Sequence, residues 1–272
     1  MPITSLQQFL EFLKFSVLMP FRLGSAFFGV FLVGAVFMIF MYLFAFSVDG
    51  VAKIFSVDIV RSYRETILAD KMKEFSVLYA YEFIWQLWVA YIFAIVIMVN
   101  RAGKSAIRLT NEAVKKNYRA IFALGSLLTI FFILLPMASM RLGYRSEIYY
   151  LHHYMIYTIS VLFVFSLIEI IQKDKGFFEA AAASVLLLRE RYIFTFVVLS
   201  LLQLGLNYGE NMVFSSYVKY LNTSQVFTFT REVAYVQGAL KAMCDVITIS
   251  IYSGAVIFLY DLYTAQNAKK IS

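Results

Sequence analysis

Charge is the scarcest ingredient of this chain. Only 15% of its 272 residues are charged, and 61% are hydrophobic. Soluble globular domains carry about 25% charged and about 45–50% apolar residues. A mean hydropathy of +0.75 points the same way. This balance excludes an ordinary soluble domain and makes the membrane span the unit of organisation. Cysteine is nearly absent too. Cys244 stands alone, which excludes an intramolecular disulfide and a cysteine-based metal site. Inside an apolar run it reads as a small core residue. Three prolines imply few broken helices. The two histidines, His152 and His153, are adjacent and point about 100° apart on a helix, so they chelate one metal poorly and read as interfacial.

Catalytic signatures are missing as well. The chain has no His-Glu-x-x-His zinc motif and no glycine loop followed by lysine for phosphate. An intramembrane aspartyl protease needs two aspartates within spans, and only Asp245 qualifies. Ser253-Gly254 has no histidine in a neighbouring span. No cofactor and no metal is expected.

What is present is a set of six continuous apolar stretches, at roughly 23–48, 75–99, 120–140, 149–171, 192–214 and 236–260. Each is long enough to cross about 30 Å of hydrocarbon as a helix. Continuous runs exclude the alternating strands of a membrane barrel. The expected fold is therefore all-α: residues 1–272 as one polytopic membrane domain of about six spans. The start of the chain lacks the pattern of a cleavable signal, so the first span is expected to stay in the membrane.

Lys and Arg set the orientation. The N-terminal segment, the second and fourth loops and the C-terminal tail together hold 14, and the other three loops hold 9. The richer side is expected to be cytoplasmic, which places both termini there. The second loop is the strongest indicator, with six basic residues against Glu112 alone. The first loop balances five bases with five acids. The net charge of +7 is thus explained by topology and by attraction to anionic headgroups, with no nucleic acid required. The inner membrane of a bacterium is the expected location. There the triplet Asn222-Thr223-Ser224, which fits a glycosylation acceptor, has no meaning.

Three cytoplasmic segments read as amphipathic helices lying on the membrane just before a span. In residues 4–19, Leu6, Phe9, Leu10, Leu13 and Val17 share one face opposite Gln7, Gln8, Glu11 and Lys14, and Pro20 ends the helix. "SAIRLTNEAVKKNYRAIFALGSLL" runs into the third span, and "FFEAAAASVLLLRERYIFTFVVLSLL" into the fifth. A shift of 74 residues superimposes Tyr118 on Tyr192 and Ser126-Leu127-Leu128 on Ser200-Leu201-Leu202. If the match is a repeat, its unit is an amphipathic helix followed by two spans. Ala180, Ala181, Ala182 and Ala183 form a small-residue surface that could dock a partner or a neighbouring span, or simply favour helix.

The segment from Glu179 through Leu202, with "LLLRERY" entering a span, resembles the membrane region of glycerophosphodiester phosphodiesterases. It is also similar to a group of uncharacterised six-span bacterial membrane proteins related to that region. The closing "IFLYDLYTAQNAKK" matches their habit of ending the last span with a tyrosine-aspartate pair, here Tyr260-Asp261. The resemblance implies a six-span fold and a membrane location. It implies no activity, because in those phosphodiesterases the chemistry belongs to a separate soluble domain, for which these residues hold no counterpart.

Charges inside spans cost about 2.5–3.5 kcal/mol on insertion scales and are candidates for function. Five occur: Glu82, Glu169, Glu210, Lys241 and Asp245. Glu169 and Glu210 lie near span ends and are expected at the interface. Glu82 shares a helix face with Gln86, one turn on, and with Tyr79. Lys241 and Asp245 have the same spacing and can neutralise each other within one helix. Alternatively, Lys241 reaches Glu82, so that Glu82, Lys241 and Asp245 cross-link spans two and six or line an ion route.

Three functions follow in order of preference. The first is a non-catalytic subunit or scaffold of a larger membrane assembly, of the kind that serves transport or secretion, with other membrane proteins as partners. The second is a small transporter or channel using the Glu82/Lys241/Asp245 cluster. The third is a lipid-modifying enzyme. Few prolines in spans argue against a transporter, since transporters often break helices at their sites. A subunit should present small residues outward, whereas a transporter should open a cavity onto the cluster.

Overall fold

The structure, a computed structural model, describes residues 6–49, 75–102, 106–141, 147–223 and 231–271. Among these residues the fold is entirely helical. The elements are α1 (Leu6–Val17), α2 (Met19–Arg22), α3 (Ser25–Asp49), α4 (Phe75–Ala102), α5 (Ala106–Lys116), α6 (Tyr118–Arg141), α7 (Glu147–Leu162), α8 (Ser166–Lys173), α9 (Phe177–Leu188), α10 (Tyr192–Thr223) and α11 (Arg231–Ile271). Five stretches are long and apolar enough to cross a bilayer: Tyr79–Arg101, Tyr118–Leu135, Met155–Lys173, Tyr192–Tyr217 and Tyr235–Ala268. The expected first span is helical as α3, whose apolar part Ser25–Phe40 is shorter than a full crossing among the described residues. The charges of the first loop, residues 50–74, lie outside the described residues. So do the side chains of Glu147, His152 and His153.

α11 is the hub. At about 1.5 Å per residue its 41 residues extend about 60 Å. It packs most extensively on α3 and then on α1, α4 and α10. Small residues make the α3 crossing close. A Cβ added to Gly238 would lie 2.7 Å from the Ile39 backbone nitrogen and 2.8 Å from its Cα. Ala35, Met38 and Ala242 complete that seam, and Trp88 of α4 closes over Gly34. Close backbone approach through small residues suits helices in lipid, where apolar side chains gain little by leaving it.

α1 keeps its anticipated apolar face outward and also packs on the protein. Leu6, Phe9, Leu10 and Val17 of the anticipated apolar face are exposed, while Phe12, Ser16 and Met19 are buried. Phe12 meets Phe258 edge-on at 5.7 Å between ring centres, and Gly254 lets Ser16 and Met19 approach α11. The helix therefore has two apolar contacts, one with α11 and one with its surroundings. Gly24, at φ +55, then turns the chain from α2 into α3, a conformation that suits glycine.

The expected fourth span is broken without proline. α7 stops at Leu162 and α8 begins at Ser166. Ser184 of α9 bridges the break: its Oγ donates to the Leu162 carbonyl at 2.8 Å and accepts from the Phe165 amide at 3.2 Å. The alanine run supplies part of the same docking face. Ala180, Ser184 and Leu188, spaced four apart, are buried, whereas Ala182 is exposed and Ala181 and Ala183 are half-buried. Tyr118 and Tyr192, aligned by the 74-residue shift, each open a spanning helix, but α5 before the first is amphipathic whereas α9 before the second is apolar rather than amphipathic.

Candidate functional site

Two buried charge clusters lie at different depths. The first joins α10 to α11. Lys241 Nζ donates to Glu210 Oε1 at 2.5 Å and to Asp245 Oδ1 at 2.7 Å. Side-chain exposures of 19% for Lys241, 14% for Glu210 and 6% for Asp245 remove all three from full solvent. The i,i+4 spacing places Asp245 within reach on the same helix, and α10 brings Glu210 from outside it. Glu210 precedes Asn211 about 27 Å along α10 from Tyr192, and Lys241 lies about 28 Å along α11 from Tyr260. Both helices thus put the bond near the far edge of about 30 Å of hydrocarbon.

The sequence spacing therefore identified Lys241 and Asp245, and Lys241 also ties them to Glu210 of span five. Glu210, expected at the interface, is a member of the cluster. Glu82 and Gln86 are both buried on α4, one turn apart. Chemically the triad is a fixed charge pair with one carboxylate in excess. An ammonium has three donors, and two of them are used here.

The second cluster lies at the basic end of the molecule. Glu169, expected at the interface, is only 3% exposed. Its Oε1 accepts from Lys173 at 2.8 Å and from the Tyr260 hydroxyl at 2.5 Å, and its Oε2 faces Lys175 at 2.7 Å. Lys173 also sits 5.4 Å over the Tyr260 ring. The tyrosine of the Tyr260-Asp261 pair is therefore a buried strut between α8 and α11, and Asp261 is exposed. The readable signal for this cluster was the four-residue step from Glu169 to Lys173. Nearby, Arg191 donates to Asn267 at 2.8 Å and lies 4.8 Å over the Tyr263 ring, while Thr195 and Tyr263 share a hydrogen bond of 2.8 Å. Arg101 donates to Gln172 at the same end.

Asp174 links the two reversals of the chain there. It is left-handed at φ 53, which aspartate tolerates, and ends α8. Lys116 donates to its Oδ2 at 2.6 Å and Asn117 to its Oδ1 at 3.0 Å. The Lys116 hydrogen bond first, and that of Asn117 second, hold its carboxyl below the usual aspartate range.

Two cavities among the described residues are lined without Lys241. One, of about 430 Å³, opens at the basic end beside Asp174. The other, of about 240 Å³, is apolar and lies between α3 and α4 at Val30 and Trp88. Among the described residues, no three His, Cys, Asp or Glu side chains converge as a metal site.

α10 carries a further sequence signal: Gly205 and Gly209 form Gly-x-x-x-Gly, a helix-association pattern. Both are open, with nothing within 4 Å of an added Cβ. Gln203 and Asn207, on the opposite side of α10, are hydrogen-bonded to each other at 2.8 Å.

The all-helical fold and its five long apolar helices mark a multi-pass membrane protein. Comparison with family models, curated proteins and solved structures gives no match for this chain.

Proposed function

We propose that this chain is a non-catalytic integral membrane subunit or scaffold of a larger assembly, serving transport or secretion, and that it docks its partners through α10. One observation carries the reading. Only 11% of the span Tyr192–Tyr217 is buried within the chain, against 61% of Tyr235–Ala268. A helix so uncovered would meet lipid on nearly all sides, yet it presents Gly205 and Gly209 on one side and the amides of Gln203 and Asn207 on the opposite side. Each amide has more hydrogen-bonding capacity than their mutual bond uses. Hydrocarbon cannot satisfy the remainder, whereas a packed helix can.

In this reading α3 is a sixth span, the side rich in Lys and Arg is cytoplasmic, and both termini lie there. The location is a bacterial inner membrane, whose anionic headgroups meet the basic side. Kinship with the membrane region of glycerophosphodiester phosphodiesterases is part of the same proposal and supplies no activity. Photocrosslinkers placed at positions 205 and 209 in living cells test the reading. Adducts with another membrane protein are expected, and adducts with lipid alone would overturn it.

A further inference from the structure

The cavity at the basic end has a composition of its own. It opens between the α5–α6 elbow and the α8–α9 turn, and its volume of about 430 Å³ suits a small ligand. Three cations, Lys116, Arg119 and Lys175, line it with one acid, Asp174. Lys116 is paired with Asp174 at 2.6 Å, and Lys175 with Glu169 at 2.7 Å. Arg119 is engaged only by its neighbour: its Nε donates to the Tyr118 hydroxyl at 3.0 Å, and its guanidinium lies 5.7 Å from that ring's centre. Its terminal nitrogens keep their donors, arranged as the fork that matches phosphate.

Backbone geometry adds to the field. The twelve-residue α9 starts after Gly176, which lines the cavity, and no side chain caps its first turn. Amides at such a start favour an anion. Glu179 is also in that turn but does not line the cavity. Depth then selects the anion's source. Tyr118 opens the span Tyr118–Leu135, and Lys173 closes the span Met155–Lys173. The cavity is therefore level with the phosphates of a bilayer. Phe177 lines it, and Phe178, 81% exposed, offers an apolar flank alongside.

We propose that this cavity binds the phosphate ester of an anionic phospholipid headgroup, with Arg119 contacting the phosphate and Lys116 and Lys175 supplying the surrounding positive field. The proposal is independent of docking through α10.

The test uses the full chain in nanodiscs of phosphatidylcholine mixed with phosphatidylglycerol, released and weighed by native mass spectrometry. The wild type should retain phosphatidylglycerol in preference to phosphatidylcholine. Arg119→Gln should lower the retained fraction about tenfold, the scale of one charge-assisted hydrogen bond. Arg119→Lys, which keeps the charge without the fork, should fall between them. Lys115→Gln removes an exposed charge one residue from Lys116 but outside the cavity, and should change nothing. Equal losses in Arg119→Gln and Lys115→Gln would reduce the effect to diffuse surface charge and overturn the site. Displacement of the lipid by millimolar inorganic phosphate would overturn the lipid as occupant and assign the cavity to free phosphate.

Discussion

Lys241 of α11 donates to Glu210 of α10 at 2.5 Å, while Asp245, one turn along its own helix, accepts at 2.7 Å. One ammonium thus answers two carboxylates and ties the most exposed span to the most buried one.

Removing that ammonium should cost far more than removing the whole group. Lys241→Met leaves Glu210 and Asp245 facing each other with little solvent, and breaking a buried pair from one side costs about 3–5 kcal/mol. Replacing all three, as Glu210→Gln, Lys241→Met and Asp245→Asn, should recover most of that loss. Unfolding curves in one detergent check the order. A triple variant as unstable as Lys241→Met would contradict the account of the triad as neutralised helix glue.

Glycines on two helices should behave oppositely. At Gly238 a methyl would strike the Ile39 backbone, so Gly238→Ala should lose about 1–3 kcal/mol through forced separation of α3 and α11. Gly205 has open space around it, so Gly205→Ala should be neutral or gain up to about 1 kcal/mol from helix propensity. The same unfolding assay compares them.

Ser184 should matter through two backbone groups it does not own. Ser184→Ala strips the Phe165 amide and the Leu162 carbonyl of their partner, at about 1–3 kcal/mol for a buried group left unsatisfied. Hydrogen exchange at the Phe165 amide should quicken. Ser160→Ala, which only removes a bond to the Ile156 carbonyl four residues back, should leave exchange unchanged.

Acid should loosen the turn after α8. The Asp174 carboxyl is held below its ordinary value of 3.8, so its bonds to Lys116 and Asn117 contribute fully above that pH. The contribution fades as pH falls through the lowered folded value. Limited proteolysis between residues 173 and 177 should therefore rise in that acid range for the wild type. Asp174→Asn should cleave at its raised rate at neutral pH, with little further change on acidification.

How much of this was legible depends on how far each signal reaches along the chain. Long apolar runs decide span identity locally, so α4, α6, α10 and α11 lie close to where the sequence puts them. The i,i+4 step from Lys241 to Asp245 is local and was readable. Glu210 was not, because its membership depends on which face α10 turns to α11. The break at residues 163–165 has no proline to announce it and rests on Ser184 from another helix. The packing of Phe12 and Ser16 on α11 was hidden for a similar reason. An amphipathic pattern marks an apolar face, but in a membrane protein that face has two possible partners, protein and lipid.

The central claim is that α10 is a docking span, and gentle extraction of the chain from its native membranes, followed by sizing and mass spectrometry of what co-migrates, tests it most directly. The account predicts stoichiometric foreign membrane proteins with the wild type, and their loss with Gly205→Leu and Gly209→Leu while the chain itself stays folded. A chain that migrates alone or only with copies of itself would contradict it.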